Sequence, residues 1–295
     1  MPTRYYFFHI PKTAGTSVTA WLEQCGRFTV FPEHLWSRLL AWPRAELADY
    51  DLFRGHFYRG LHRYLDVPLT PFVFLRNPID RSISHWEHIR RSPDHYFHDR
   101  VVAQGSFRAF LEDETTRRVI ENYQVRSLCN AVDPVALDAR LPARRGVHDL
   151  ERALETADLG FDDRTALAVA QDYLTRCCVV GITERMEDSL ARLAGVLQVS
   201  PPERAPSLNV ATGRQIDALT LSAEDLAALA PLIEVDWALY HQALHRFDAA
   251  LRMPGRADAG DHGDHPSPGD GGGAETSSAQ PGRVARWVSR VRGTP

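Results

Sequence analysis

The sequence predicts an α/β fold with a central, mainly parallel sheet flanked by helices. Three stretches, at 5–10, 71–75 and 177–183, are apolar runs of strand length, and each is followed by a segment with helical periodicity. The second helical segment begins at Pro78, an early position where proline is common. Strands that alternate with helices favour a parallel sheet, because parallel neighbours need a crossover connection.

The first strand leads into a short loop of small and hydroxyl residues. Lys12 precedes Gly15 in this loop, and the helical periodicity that follows predicts an N-cap at Thr16 or Ser17. Backbone N–H groups, a helix N-terminus and a lysine charge then converge on one anion, as at a phosphate site. The triphosphatase form of such a loop needs a leading glycine and a terminal Gly-Lys-Ser/Thr, which this loop lacks. The residues predicted to bind the anion are Lys12, Thr13, Ala14, Gly15, Thr16 and Ser17.

The strand at 71–75 supplies a second anion-binding group. It ends at Arg76, whose planar guanidinium suits bidentate binding of phosphate. Ser84, on the following helix, adds a hydroxyl donor. The carboxyl ends of parallel strands lie at one edge of the sheet. The loop after the strand at 5–10 and the loop after the strand at 71–75 are therefore expected at the same site.

Two segments resemble a known family. His-Ile-Pro-Lys-Thr-Ala-Gly-Thr-Ser at 9–17 and Leu-Arg-Asn-Pro-Ile-Asp-Arg-Ser-Ile-Ser-His-Trp at 75–86 resemble the phosphate signatures of sulfotransferases that use 3′-phosphoadenosine-5′-phosphosulfate (PAPS). The resemblance is closest to the carbohydrate branch that includes the heparan sulfate 2-O-sulfotransferases. Glu-Asn-Tyr-Gln-Val-Arg-Ser-Leu at 121–128 is similar to a stretch common in bacterial members.

This resemblance implies a P-loop-like three-layer fold, a PAPS donor and 3′,5′-adenosine bisphosphate as product. Residues 12–17 are then expected to hold the 5′-phosphosulfate, with Lys12 at the bridging oxygen, and Arg76 and Ser84 to hold the 3′-phosphate. A loop of the family closes over this phosphate, which at 201–214 of this chain implies the candidates Ser207, Asn209 and Arg214. No metal is expected, since cations and amides balance the donor's charge.

His56 is the predicted catalytic base. It follows Gly55 at the end of an apolar run beginning at 51, and imidazole titrates near working pH. The family relatives have a Gly-His pair here whose histidine is the base. A strand-end histidine that bonds a backbone carbonyl is the alternative. The relatives nearest to heparan sulfate modification carry a second histidine where this chain has Arg54.

A histidine cluster follows on the helix after Pro78. His85 and His88 share a helix face, and His95 and His98 come shortly after. A metal site would need a further ligand of matching geometry, and none is evident in the sequence. With Tyr96 and Phe97, the cluster is alternatively the border of an acceptor sugar. Gln124 and Arg126 either face the acceptor or the sulfuryl group, or lie on a solvated helix face.

The remaining elements are predicted from the spacing of apolar residues and from the proline, glycine and capping residues that begin or end an element. They are a short strand at 28–31, helices at 35–42, 106–130, 166–176 and 184–197 (the last with Thr183 as N-cap), a loop at 133–145, and one or two helices at 222–251.

Composition bounds the class of protein. The chain has 295 residues, 44% of them hydrophobic, and a formal net charge of −4, which argues against a nucleic-acid partner. No apolar stretch is long enough to span a bilayer, and the N-terminus lacks a signal peptide, so a cytoplasmic protein is expected. The four cysteines fit neither a zinc motif nor a disulfide framework, and buried apolar positions are expected for them.

The predicted catalytic domain covers residues 1–253. Residues 254–282 are rich in Gly, Asp, Ser and Pro and are predicted to be a disordered linker. Residues 283–295 form a short basic amphipathic segment, in which 283–292 either contacts an anionic membrane or protein partner weakly or has no role.

The predicted activity is transfer of a sulfuryl group from PAPS to a hydroxyl of a carbohydrate, glycolipid or small acceptor. Two alternatives stay open at this level. A small-molecule or carbohydrate kinase would need the Gly-Lys-Ser/Thr order and an acidic Mg²⁺ ligand. A noncatalytic nucleotide- or glycan-binding protein would keep Arg76 and Ser84 and would not need a base.

Overall fold

A four-stranded, fully parallel sheet forms the centre of the protein. The structure is a computed structural model that describes residues 3–142, 146, 148–202 and 220–252. The strands run in the order β2-β1-β3-β4, and they are β1 (Tyr5–Phe8), β2 (Leu52–Gly55), β3 (Thr70–Leu75) and β4 (Val179–Ile182). The predicted α/β fold with a parallel sheet is therefore confirmed.

Helices connect the strands and follow the last of them. In chain order they are α1 (Gly15–Gln24), α2 (Trp36–Ala41), α3 (Leu61–Leu65), α4 (Pro78–Arg91), α5 (His98–Gln104), α6 (Phe107–Glu112), α7 (Tyr123–Cys129), α8 (Pro134–Asp138), α9 (Asp149–Glu155), α10 (Asp163–Arg176), α11 (Met186–Leu197), α12 (Ala223–Leu229) and α13 (Glu234–Arg252). Short 3₁₀ turns lie at Arg44–Asp49, Tyr58–Gly60, Arg117–Val119, Thr183–Arg185 and Ala230–Ile233.

Alternate strand residues face two separate cores, because side chains of a strand point to opposite sides of a sheet. One core joins α1 and α11 to the strand residues Phe7, Leu52, Phe72, Phe74 and Val179. The other joins α2, α7, α10 and α13 to Tyr6, Phe8, Phe53, Val73, Leu75 and Ile182. Helices therefore cover both faces, which explains why the strands read as continuous apolar runs.

Two predicted elements differ near the middle of the chain. The predicted helix at 106–130 is interrupted, because the Asp113 carboxylate accepts the N–H groups of Thr115 and Thr116 and turns the backbone. The predicted loop at 133–145 contains α8, whose first turn is capped by the Asp133 side chain. The predicted strand at 28–31 is reduced to one isolated bridge, between Val30 and Leu52.

The two predicted N-caps are wrong. Helix α1 begins at Gly15 with Ala14 as its N-cap, so Thr16 and Ser17 lie inside the first turn. Helix α11 begins after a 3₁₀ turn, and the Thr183 hydroxyl is buried without a hydrogen-bond partner among the described residues. The Ser189 hydroxyl instead bonds both backbone groups of Ile182 at the end of β4.

The topology brings three strand ends together. β1 lies inside the sheet with β2 on one side and β3 on the other, so the chain crosses β1 between them. In open parallel sheets, ligands bind at the carboxyl ends where the strand order reverses in this way. The segments that follow β1, β2 and β3 carry Lys12, His56 and Arg76 respectively.

In the part of the chain that the structure describes, no helix is long and apolar enough to cross a membrane. All four cysteines are free. Cys129 is buried as expected, whereas Cys25, Cys177 and Cys178 are only partly buried.

The sheet core predicts a contrast between two substitutions. Phe72 is fully buried, and its ring stacks on that of Phe7 at a centroid distance of 5.1 Å. Phe72→Ala is expected to lower the free energy of unfolding by about 3–5 kcal/mol, because it leaves a cavity in the core between the sheet and helices α1 and α11. Val102 is 51% exposed, and Val102→Ala should change it by less than about 0.5 kcal/mol. Urea denaturation of both variants measures the difference, and equal effects would contradict this account of the core.

Candidate active site

The loop between β1 and α1 has an unusual backbone. Lys12 and Ala14 have φ values of 70° and 69°, although neither is glycine. A left-handed conformation costs an ordinary residue about 1–2 kcal/mol, so the surroundings must hold it in place. The buried Thr13 between them donates its hydroxyl to the Ile10 carbonyl at 2.8 Å. Backbone N–H groups in such alternating conformations form a concave anion-binding nest.

Two arginines hold the outer side of this loop. Arg76, directly after β3, donates from Nη1 to the Lys12 carbonyl at 3.0 Å. Arg81, on α4, donates from Nε to the Pro11 carbonyl at 3.1 Å. Because these guanidiniums bind the carbonyl groups, the loop conformation is fixed from outside and carries positive charge beside it.

Helix α1 starts directly at the end of the loop. Ala14 provides no side-chain cap, while its carbonyl accepts the N–H groups of Ser17 and Val18 at 3.0 and 3.1 Å. The first-turn N–H groups of a helix have no carbonyl partner within the helix, and the dipole is positive there. We call residues 12–17 the anion cradle; that it binds an anion stays a prediction, and the N–H groups of Thr13 and Ser17 donate to the carbonyls of Ile10 and Ala14.

Gly15 is required by the imidazole of His9. A Cβ atom added at Gly15 would lie 1.7 Å from His9 Nε2. The His9 ring stacks on Phe7 and lies 4.7 Å from the ring of His56, measured between centroids. Burial lowers the pKa of His9 well below its ordinary value, so this imidazole is neutral. His9 was not predicted as a site residue, because the sequence does not show which loop residue it covers.

His56 adopts one defined tautomer. Its Nδ1 lies 2.8 Å from the His9 carbonyl, and a carbonyl can only accept, so Nδ1 carries the proton. Its Nε2 then holds a lone pair and can accept a proton. Burial, helped by nearby His34, lowers the pKa of His56 to about 4. The ring is therefore in the proton-accepting form at neutral pH.

The backbone at Gly55 and His56 packs closely against the backbone of His34. Its N–H donates to the His34 carbonyl at 2.9 Å. Gly55 has a φ of 149°, and a Cβ there would lie 2.5 Å from the same carbonyl oxygen. The carbonyl contact expected of a purely structural histidine is thus present, but it engages Nδ1 alone.

Arg76 is positioned through its own backbone. The Gln124 side-chain amide accepts from the Arg76 N–H at 2.9 Å and donates to the Arg76 carbonyl at 2.8 Å. Asp236 accepts the backbone N–H groups of Gln124 and Val125, and burial raises its pKa to about 6. Gln124 therefore orients Arg76; the prediction that it faces an acceptor is not supported.

Arg81, like His9, was not predicted as a site residue. Its guanidinium is fully buried, donates to the Val119 carbonyl as well as to Pro11, and lies 4.1 Å from the centre of the Tyr123 ring. It belongs to the segment that suggested a phosphate site, but that segment does not distinguish it from Arg76. Its burial in a network is visible only in the fold.

Two other predicted residues receive clear positions. Ser84 is half-buried on α4, three residues after Arg81. Arg126 binds the carbonyls of Arg118, Glu155 and Ala157, which is a structural role within the chain. Ser207, Asn209 and Arg214, and the two segments after 253, lie outside the described residues.

Among the described residues, no group of three or more His, Cys, Asp or Glu side chains is arranged to hold a metal ion. The Glu184 carboxylate accepts the Asn77 N–H and the Tyr240 hydroxyl, each at 2.8 Å.

No protein-family model matches the chain, and no curated protein matches its sequence. The site is therefore interpreted from its own geometry.

The contact between Gly15 and His9 predicts that Gly→Ala is destabilising at position 15 but not at position 195. Gly15→Ala should lower the free energy of unfolding by about 1–3 kcal/mol, because the added Cβ displaces a packed imidazole. Gly195, inside α11, has no atom within 4 Å of its ideal Cβ position, so Gly195→Ala should be neutral or stabilising by up to about 1 kcal/mol. Chemical denaturation compares the two, and a harmless Gly15→Ala would refute the tight contact.

Proposed function

We propose that this protein is a PAPS-dependent sulfotransferase of P-loop-like three-layer architecture that sulfates a hydroxyl group. The observation that carries the proposal is the meeting of an anion cradle and a neutral histidine at one edge of the sheet. Residues 12–17 are the cradle, and His56 presents Nε2 as a proton acceptor. A kinase with the triphosphatase type of loop would need the Gly-Lys-Ser/Thr order, which the loop at Lys12 lacks.

The proposed reaction is an in-line displacement at sulfur. The acceptor oxygen forms a new S–O bond while the S–O bond to the 5′-phosphate of the donor breaks. His56 Nε2 takes the proton of the acceptor hydroxyl, and the electron pair of the broken bond stays on the leaving phosphate. Lys12 and the N–H groups of the loop stabilise that charge as it develops. Most of the catalysis is thus positioning and charge stabilisation.

Arg76 and Ser84 are proposed to hold the donor's 3′-phosphate. Because Arg76 also binds the Lys12 carbonyl, the same side chain links the sites for the two phosphates. Ser207, Asn209 and Arg214 stay predicted ligands of this phosphate. The cytoplasmic location, the independence from metal and a weak partner contact through 283–292 also stay predictions.

Calorimetric titration with 3′,5′-adenosine bisphosphate, compared with ATP–Mg²⁺, tests the donor class. We expect the bisphosphate to bind and Ser84→Ala to weaken it about tenfold, through the loss of one hydrogen bond to a charged group. Ser82→Ala is the matched control, since the Ser82 hydroxyl donates to the Pro78 carbonyl within the same helix. Arg76→Lys should weaken binding further, because lysine cannot bind bidentately. Preference for ATP–Mg²⁺ would replace the proposal with a kinase.

The environment of His56 predicts the pH dependence of activity. His56 must be neutral to accept a proton, and it loses this form as the pH falls through its pKa of about 4. The acid limb of kcat/KM should therefore lie near that value, with activity retained from neutral pH down to about pH 5. An acid limb near the ordinary histidine pKa of about 6.5 would contradict the burial of this ring.

Removal of the base is the second half of this test. His56→Gln should reduce kcat by about 10²–10⁴-fold and abolish the acid limb. His62→Ala, at an exposed position on α3, should leave both unchanged. Full activity in His56→Gln would remove His56 from the mechanism while leaving donor binding intact.

A further inference from the structure

The connection between β3 and α4 consists of two residues, Arg76 and Asn77. The Gln124 side chain bonds both backbone groups of Arg76, its N–H at 2.9 Å and its carbonyl at 2.8 Å. The Glu184 carboxylate accepts the Asn77 N–H at 2.8 Å. Arg76 lies just beyond β3, so the Gln124 amide satisfies the donor and the acceptor that a neighbouring strand would otherwise bond. The backbone of Arg76 is therefore held on both sides of its Cα atom.

Gln124 is held in turn by the carboxylate of Asp236. It lies in the first turn of α7, where backbone N–H groups have no carbonyl partner within the helix. The Asp236 carboxylate accepts the N–H of Gln124 at 3.1 Å and that of Val125 at 2.8 Å. Asn122, the N-cap residue of α7, provides no side-chain cap for this helix. A residue of α13 thus caps α7.

The cap is reciprocal. Asn122 has a left-handed backbone, with a φ of 41°, and its Oδ1 accepts the N–H groups of Val235 and Asp236 at 3.0 and 3.2 Å. Its own N–H donates to the Leu232 carbonyl at 2.7 Å. Each helix therefore satisfies free N–H groups in the first turn of the other. This exchange fixes the start of α7, and Gln124 with it, relative to α13.

Gln124 and Asp236 are out of reach of a bound ligand. Each is 1% exposed, whereas Arg76 is half-buried. The guanidinium of Arg76 continues the chain of contacts, since its Nη1 donates to the Lys12 carbonyl at 3.0 Å. Hydrogen bonds thus lead from a buried carboxylate on α13, through α7, to the arginine and the loop of the anion cradle.

This support matters because binding of phosphate by arginine depends on direction. A guanidinium is planar and binds two oxygens only when its edge faces them. An arginine side chain also loses rotamer freedom when it is ordered, and binding is weaker when the ligand has to order it. Fixing both backbone groups of Arg76 limits the directions in which its side chain can leave the strand end.

We propose that Gln124 and Asp236 are positioning residues for the donor's 3′-phosphate: they direct the Arg76 guanidinium, and donor affinity depends on them although neither touches the donor. This inference rests on the proposed function, in which Arg76 binds that phosphate. A residue that only supports folding would change the stability of the protein and leave the affinity of the folded protein for the donor unchanged.

The test is calorimetric titration of the full chain with 3′,5′-adenosine bisphosphate. Gln124→Met keeps the length of the side chain and removes both hydrogen bonds to Arg76, so it should weaken binding about threefold to tenfold. In the Arg76→Lys variant, the same change should weaken binding by less than about twofold, because an ammonium group binds phosphate as a point charge without a preferred plane. Such non-additivity shows that Gln124 acts through the guanidinium.

Asp236→Asn tests the next contact in the chain. An asparagine has one acceptor oxygen and cannot accept both N–H groups of α7. It should weaken bisphosphate binding in the otherwise unchanged protein, and it should add no further loss to Gln124→Met, because its effect passes through Gln124. If Asp236→Asn does not fold, the cycle of Gln124→Met and Arg76→Lys still decides the inference.

Asn130→Ala is the matched control. Asn130 is a buried amide at the other end of α7, where it bonds the Leu154 carbonyl and the Val132 N–H. Its loss should lower the free energy of unfolding, measured by urea denaturation, and leave bisphosphate affinity unchanged.

The outcomes separate this inference from the proposed function. If Gln124→Met binds the bisphosphate as tightly as the unchanged protein, or weakens binding equally with and without Arg76→Lys, the positioning role is overturned and the sulfotransferase proposal stands. An equal loss of affinity in Asn130→Ala would also overturn it, because the loss would then reflect stability alone. If the unchanged protein does not bind the bisphosphate, both proposals fall.

Discussion

The site depends on two guanidinium groups that bind backbone carbonyls of the loop after β1. Arg76 holds the carbonyl of Lys12, and Arg81 holds that of Pro11. The left-handed conformations of Lys12 and Ala14 are costly for non-glycine residues and would relax without such contacts. Because the arginines bind the carbonyls, their positive charge lies beside the loop.

A second constraint is the close packing of His9, His34 and His56 against one another. His9 covers Gly15, its carbonyl fixes the tautomer of His56, and the backbone carbonyl of His34 binds the His56 N–H. Enclosure lowers the pKa values of these rings, so a chain with many histidines here does not gather positive charge. A phosphate-type cradle and a neutral base can therefore lie side by side without competing for the same ligand.

The sequence predicted the elements whose signals are local. The strands β1, β2, β3 and β4 were predicted from apolar runs, and α4 from its proline and its apolar face. Interruption of the helix predicted at 106–130 was missed, because it depends on Asp113 capping the turn after α6. The start of α1 was misplaced, since Thr16 and Ser17 are good N-caps but the loop conformation begins the helix at Gly15.

By itself, the sequence determined the α/β class, the strand–loop–helix at Lys12 and the candidates His56 and Arg76. Their signals are the spacing of apolar residues and the residues that begin or end an element, and both act over a few neighbouring positions. Only the tertiary structure decided that His9 packs on Gly15, that Gln124 and Arg81 bind next to the loop, and that the rings of His9 and His56 lie together. These contacts join residues far apart in the chain. They arise from the order of the strands, and no local pattern of residues encodes that order.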